Sequence, residues 1–115
     1  MENLRPRNIH LSVVIPAYNE EARIVHTLTA IAAYLQKQPY SSEVIVVDDG
    51  SSDCTAERAA ETLRRMNDIR IIRFPRNLGK GAAVKEGVLK ARGDYILFSD
   101  ADLSTPIEEF EKFRP

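Results

Sequence analysis

The sequence predicts an α/β fold with a mainly parallel sheet and alternating helices. Short β-branched or apolar runs recur four times, and segments of helical period separate them. Repeated strand-then-helix order is the pattern of parallel strands joined by crossover helices. No internal repeat, low-complexity stretch or Gly/Ser/Pro-rich linker divides the 115 residues, so the alternation belongs to one domain.

Each element has its own signal. Residues 11–15 read as a strand stopped by Pro16. Residues 21–38 read as a helix with Ile24, Leu28, Ile31, Ala32 and Leu35 on one stripe, and Pro39 just beyond its end. The β-branched run 43–47 suits a strand buried on both faces. Asp48-Asp-Gly-Ser-Ser52 then turns the chain, and Ser52 or Asp53 is placed to cap a helix running to about Asn67. Its inner face would be Ala56, Ala59, Ala60, Leu63 and Met66. Residues 69–74 form a third strand ended by Pro75. A glycine-containing loop, 77–81, leads into a helix to Arg92 with Val84, Val88 and Ala91 inside and Gly93 as its cap. Residues 95–99 are a fourth strand, and Pro106 opens a last short helix.

Composition narrows the function classes. A chain of 115 residues buries roughly two-thirds of its unfolded surface, enough for a core without disulfides. Hydrophobic content of 43% with 29% charged residues argues against disorder. A net charge of −1 excludes an overall basic footprint for nucleic acid. Cys54 has no partner cysteine, and two histidines leave little for a zinc site. His10, on a strand entrance, and His26, on a helix, read as structural or solvated, and Cys54 as an ordinary thiol. Apolar strings such as 44–47 fall far short of the roughly 20 residues that span a bilayer. The first eight residues carry Arg5 and Arg7 without the apolar stretch of a signal peptide, so the chain reads as cytoplasmic.

The even charge balance hides a segregation. Residues 64–92 hold nine Lys/Arg against two Asp/Glu, and the flanking segments are acidic. Arg64, Arg65, Arg70, Arg73, Arg76, Lys80, Lys85, Lys90 and Arg92 face phosphates or an anionic membrane surface, or else are ordinary solvated charges.

In such sheets ligands bind outside the carboxyl ends of the strands, where this sequence puts its unusual residues. Pro16-Ala-Tyr-Asn-Glu20, Asp48-Asp-Gly50, Asn77-Leu-Gly-Lys80 and Asp100-Ala-Asp102 follow the four strands in turn. On extended chain, Asp100 and Asp102 present both carboxylates to one side. Hard anionic ligands with positions to spare suit Mg²⁺ or Mn²⁺ shared with substrate phosphates; a plain turn, with Asp102 capping the helix at Pro106, is the alternative. One of Asp48 and Asp49 can accept from a base N–H or ribose hydroxyl, or both serve the turn and the next helix. Tyr18 and Glu20 suit a stacked, hydrogen-bonded base, although Glu20 also simply favours a helix N-terminus. Gly79-Lys-Gly81 is friendly to phosphate but lacks the spacing of a Walker A loop, and no Gly-x-Gly-x-x-Gly follows the first strand.

Four segments together resemble the family 2 glycosyltransferases of GT-A type. They are Val13-Val-Ile-Pro-Ala-Tyr-Asn-Glu20, Glu43-Val-Ile-Val-Val-Asp-Asp-Gly-Ser-Ser-Asp53, Asn77-Leu-Gly-Lys-Gly81 and Gly93-Asp-Tyr-Ile-Leu-Phe-Ser-Asp-Ala-Asp102. Within the family the wording is most similar to the dolichyl-phosphate or polyprenyl-phosphate glucosyl- and mannosyltransferases, with Leu103-Ser-Thr-Pro-Ile-Glu-Glu-Phe110 leaning to the glucosyl branch. The resemblance implies a Rossmann-like GT-A fold and a donor site for a UDP- or GDP-hexose. It places Pro16, Tyr18 and Glu20 about the nucleoside, and Val47 and Asp49 beside base and ribose. Asp100, Ala101 and Asp102 would match the Asp-x-Asp motif, with Asp100 and Asp102 on Mg²⁺ or Mn²⁺, and Lys80 would be a further donor contact. It implies transfer of glucose, with mannose next, to a polyprenyl or dolichyl phosphate by metal-assisted inverting displacement.

Residues 1–10 are then expected as a lead-in and 11–115 as the donor-binding part, cut after the fourth strand. Acceptor-side residues, including any catalytic base, would lie beyond the chain. The absence of the membrane anchor usual in eukaryotic relatives leaves peripheral contact at a cytoplasmic membrane face. Two competing readings are a nucleotide-sugar-binding fragment without turnover and a receiver-like signalling domain. The receiver reading needs an acidic pair after the first strand and an acceptor aspartate after the third. The residues there are Pro-Ala-Tyr and Phe-Pro-Arg.

Overall fold

The computed structural model describes residues 8–101. Within them four strands and three helices alternate: β1 (Ile9–Ala17), α1 (Glu21–Gln36), β2 (Ser42–Asp48), α2 (Thr55–Leu63), β3 (Ile69–Arg73), α3 (Lys80–Lys90) and β4 (Gly93–Phe98). The sheet order is β3-β2-β1-β4, and all three pairings are parallel. The helix expected at Pro106 and the residue Asp102 lie outside the described residues.

The sheet separates two cores. Leu11, Val13, Ile15, Val44 and Val46 meet Ile24, Leu28, Ile31 and Leu35 of α1 and Ala59 and Leu63 of α2 on one face. The other face carries Ile45 and Val47 against Ala83 of α3. The period-2 alternation of the central strands thus feeds both layers, which explains their unbroken hydrophobicity.

α3 corrects the expectation from side-chain size. Val88 is 37% exposed, and the buried residues of the helix are Ala83 and Gly87. A Cβ at Gly87 would lie 2.3 Å from Val14 Cγ1, so α3 sits too close to β1 for larger side chains. Gly93 is likewise no helix cap: it opens β4, and a Cβ there would meet Ser12 N at 2.7 Å. Ala60, expected inside, is exposed. α2 also stops short of Asn67. Met66 N turns back to Leu63 O (2.9 Å), and the Asp68 carbonyl accepts from Val44 N (3.0 Å) as the chain enters β3.

Pro16 does not stop β1, which continues to Ala17. Successive residues point their backbone groups to opposite neighbours. Ala17 O accepts from Asp49 N on the β2 side, and Val14 O accepts from Ser99 N on the β4 side. Pro16 therefore turns its donorless nitrogen towards β4. Pairing with β4 ends at Val14↔Phe98, whereas pairing with β2 reaches Ala17↔Asp48.

At the amino ends of the strands a charged network is sealed into the sheet. Glu43 is 2% exposed. Its Oε2 accepts from Ser12 Oγ (2.6 Å) and Arg92 N (2.7 Å), and its Oε1 from Arg92 Nε (3.1 Å) and Nη2 (2.9 Å). Ser12 Oγ in turn accepts from Gly93 N at 2.8 Å. Burial pushes the Glu43 carboxyl up, but the bonds from Ser12 and Arg92 together with the Arg92 charge outweigh it. The net effect holds the group below its ordinary range.

A folded pKa below the unfolded one means the folded state binds fewer protons, so this stabilisation is present at neutral pH and fades as pH falls through the folded value. Glu43→Gln should lower unfolding free energy at pH 7 by about 2 kcal/mol, the scale of hydrogen bonds to a charged group. Urea titrations should show the gap to wild type shrinking below the ordinary carboxylate range. A gap independent of pH would remove the charge from this account.

Candidate functional site

The loops leaving β1 and β2 lock together before they meet any ligand. Asn19, in the left-handed region at φ 52°, donates its amide to Ser51 Oγ (2.8 Å) and accepts from Ser52 N at Oδ1 (2.9 Å). Glu20 N donates to Thr55 Oγ1 at 2.9 Å. The starts of α1 and α2 satisfy each other: Glu21 N donates to Asp53 Oδ2 (3.2 Å), and Cys54 N donates to Glu21 Oε1 (2.9 Å). Asp53, expected to cap the helix that follows it, thus divides its carboxylate between both helices, its Oδ1 accepting from Thr55 N at 3.0 Å. Partial burial pushes Asp53 up, and bonds from Thr55 and the Glu21 amide bring it below its ordinary value.

The paired aspartates have different tasks. Asp48 is fully buried; its Oδ1 accepts from Ser51 N (3.1 Å), and its Oδ2 lies 3.6 Å from Arg73 Nε. Asp49 binds the loop ahead of α3. Its Oδ1 accepts from Leu78 N (2.7 Å), and its Oδ2 from Gly79 N (3.0 Å) and Asn77 Nδ2 (3.0 Å). Gly50 makes this contact possible. At φ 73°, a Cβ there would lie 2.2 Å from the Arg76 carbonyl carbon.

The locked loops surround a cleft of about 310 Å³ lined by Pro16, Ala17, Tyr18, Glu20, Asp49, Lys80, Asp100 and Ala101. It lies at the carboxyl ends of β1, β2 and β4, where the order β3-β2-β1-β4 reverses direction about β1. Seven of the eight lining residues were singled out from sequence; Ala17 was not. Val47 is fully buried against Ile45 and Ala83 and does not line the cleft. The Glu20 carboxylate pairs with Arg23 Nη2 at 2.8 Å. Across the cleft mouth, Lys80 Nζ meets Asp100 Oδ1 at 2.9 Å. Ala101 is buried, and its carbonyl accepts from Thr27 Oγ1 at 2.5 Å. Among the described residues no group of three or more His, Cys, Asp or Glu is placed to hold a metal ion.

Other sequence candidates lie elsewhere. His10 packs at a tilt between Tyr40 and Tyr95, with ring centroids 4.6 and 5.1 Å away, at the opposite end of the sheet. Cys54 and His26 are exposed. Arg64, Arg73, Lys90 and Arg92 pair with acidic groups away from the cleft, and Lys80, paired with Asp100, is the basic residue among the described ones that lines it. Among the described residues no helix is long and apolar enough to cross a membrane.

Asp49→Asn replaces one accepting oxygen by an NH2 group that cannot accept, so the bonds from Leu78 and Gly79 cannot both be kept and the clasp on the loop is broken. Hydrogen exchange at those two amides should accelerate at least about tenfold, with β1 amides unchanged. Unchanged exchange at Leu78 and Gly79 would mean the loop holds itself.

Comparison with known proteins bears on the family and the fold. Dolichyl-phosphate beta-glucosyltransferase ALG5C of Trichomonas vaginalis is 43% identical over 93% of this chain and 33% of its own length. The chain spans about a third of the length of the curated relatives it matches. Among solved structures, S. aureus TarS 1-349 in complex with UDP-GlcNAc is 31% identical with TM-score 0.63, over 82% of this chain and 27% of that one. The mannosyltransferase PcManGT from Pyrobaculum calidifontis, in complex with GDP-Man and Mn²⁺, is 25% identical with TM-score 0.74, over 90% and 30%. These likenesses place the four-stranded sheet within the GT-A fold. Glycosyl transferase family 2 matches residues 12–114, and the chain belongs to that family.

Proposed function

We propose that the cleft binds a nucleoside-diphosphate hexose, UDP-glucose before GDP-mannose, as donor for transfer to a dolichyl or polyprenyl phosphate. The observation that carries this reading is the convergence of Tyr18, Glu20, Asp49, Lys80, Asp100 and Ala101 on one cleft at the switch point of the sheet. The cleft is of the size of a small-molecule site, and its walls combine an aromatic face with carboxylates and one ammonium. The glucosyltransferase relative supports the sugar and the acceptor; the solved complexes support a nucleotide donor and a divalent cation.

In this reading Pro16, Tyr18 and Glu20 line the nucleoside. Tyr18, 48% exposed, offers its ring for stacking. Asp49 forms the floor beside base and ribose, with Val47 supporting it from the core. Lys80 neutralises the diphosphate. Asp100 is an exposed, hard oxygen donor, which fits Mg²⁺ or Mn²⁺, and Asp102 would complete the pair. When bound, the cation supplies neutralisation of the leaving diphosphate. The bond from the acceptor phosphate oxygen to the anomeric carbon forms as the bond to the nucleoside diphosphate breaks, with inversion. The acceptor arrives anionic, so no residue here needs to remove a proton. A lipid acceptor places the reaction at the cytoplasmic face of a membrane, with the protein in peripheral contact.

Calorimetric titration with UDP-glucose and with GDP-mannose, in Mn²⁺ and then in chelator, tests this. UDP-glucose should bind in Mn²⁺ and weaken at least about tenfold in chelator, roughly 1.4 kcal/mol. Asp102→Ala should abolish that cation dependence. A folded chain that binds neither nucleotide, or binds both equally with and without metal, would overturn the reading.

A further inference from the structure

We infer that Thr27, outside the cleft, is a positioning residue for the Asp100-Ala101 segment; this rests on the donor-site reading above. Thr27 lies in the interior of α1 at 1% exposure, among Ile24, Leu28 and Ile31, each fully buried. A β-branched, hydroxylated residue is a poor choice for such a position. It helps the helix less than alanine would, and its hydroxyl must find a partner away from water. A threonine hydroxyl inside a helix commonly returns to a carbonyl of its own preceding turn. Here it leaves the helix and donates to Ala101 O at 2.5 Å, 74 residues along the chain.

The acceptor explains the choice. Ala101 is 4% exposed and belongs to the larger core, while its neighbour Asp100 has a side chain 48% exposed. The segment is thus held at Ala101, with the methyl group in the core and the carbonyl on Thr27. The hydroxyl therefore fixes the direction of the Ala101 carbonyl, and with it the backbone that brings Asp100 to the cleft. In the donor-site reading the Asp100 carboxylate must present its oxygens to a cation and a diphosphate together. Rotation of the backbone at Ala101 would turn Asp100 away from them without disturbing the nucleoside end of the cleft. Thr27 does not line the cleft, so it acts on the site through Ala101.

The test compares wild type, Thr27→Val and Thr27→Ser by calorimetry with UDP plus Mn²⁺ and with uridine alone, alongside urea denaturation. Thr27→Val keeps the shape and removes the donor. It should weaken UDP–Mn²⁺ about tenfold and leave uridine binding within about twofold, and Thr27→Ser should restore the loss. Equal UDP–Mn²⁺ affinity of wild type and Thr27→Val would overturn the inference. So would parallel weakening of UDP and uridine, the mark of general loosening, or a Thr27→Ser variant that folds and fails to recover. Should wild type itself bind neither ligand, the donor-site reading falls and this inference with it, an outcome distinct from normal binding by Thr27→Val.

Discussion

The architecture depends on one carboxylate taken out of water. Glu43 sits where β1, β2 and the entry to β4 come together, and it joins all three through Ser12 and Arg92. A buried charge is costly unless every lone pair is used, and here four donors converge on two oxygens. The contact specifies position as much as stability. It seats Gly93 against Ser12, and from that register β4 runs beside β1 on the side away from β2. Had β4 added beyond β3 instead, Asp100 and Ala101 would end on the far side of the sheet from Tyr18 and Glu20.

The opposite end of the sheet follows another logic. There many of the polar side chains bind the backbone of a neighbouring loop, and each rim loop holds its neighbour. Asp49 clasps residues 77–79, Asn19 clasps the turn at Ser51 and Ser52, and Glu21 and Asp53 exchange bonds between two helix starts. A rim ordered in advance loses less freedom when a flexible diphosphate arrives. The residues left facing the cleft, Tyr18, Lys80 and Asp100, are the exposed ones.

Much of this was legible because strand–helix alternation places every strand's carboxyl end on one edge, so the rim residues can be named without coordinates. Most element boundaries followed within two residues from proline positions and hydrophobic period. Size misled the reading of α3, because hydropathy ranks Val88 above Gly87, while the close approach to Val14 admits only the glycine. Gly93 carries the same signal whether it ends a helix or packs against a backbone, and only the neighbouring strand decides. Asp49 was seen as a possible ligand residue, but its hold on Asn77, Leu78 and Gly79 is a partnership between distant segments. Thr27 had no local signal at all, since its partner is 74 residues away.

The ladder on either side of β1 closes to a different height. The β2 side is fastened through Ala17, while the β4 side ends at the Val14 carbonyl, three residues earlier and two before Pro16. The crevice between β1 and β4 is therefore bounded below by a missing hydrogen rather than by bulk. Its depth is set by backbone chemistry that side-chain variation around the rim cannot alter. The exposed residue at 18 is free to tune what the crevice accepts, whereas where the sheet begins to part follows from the imino acid.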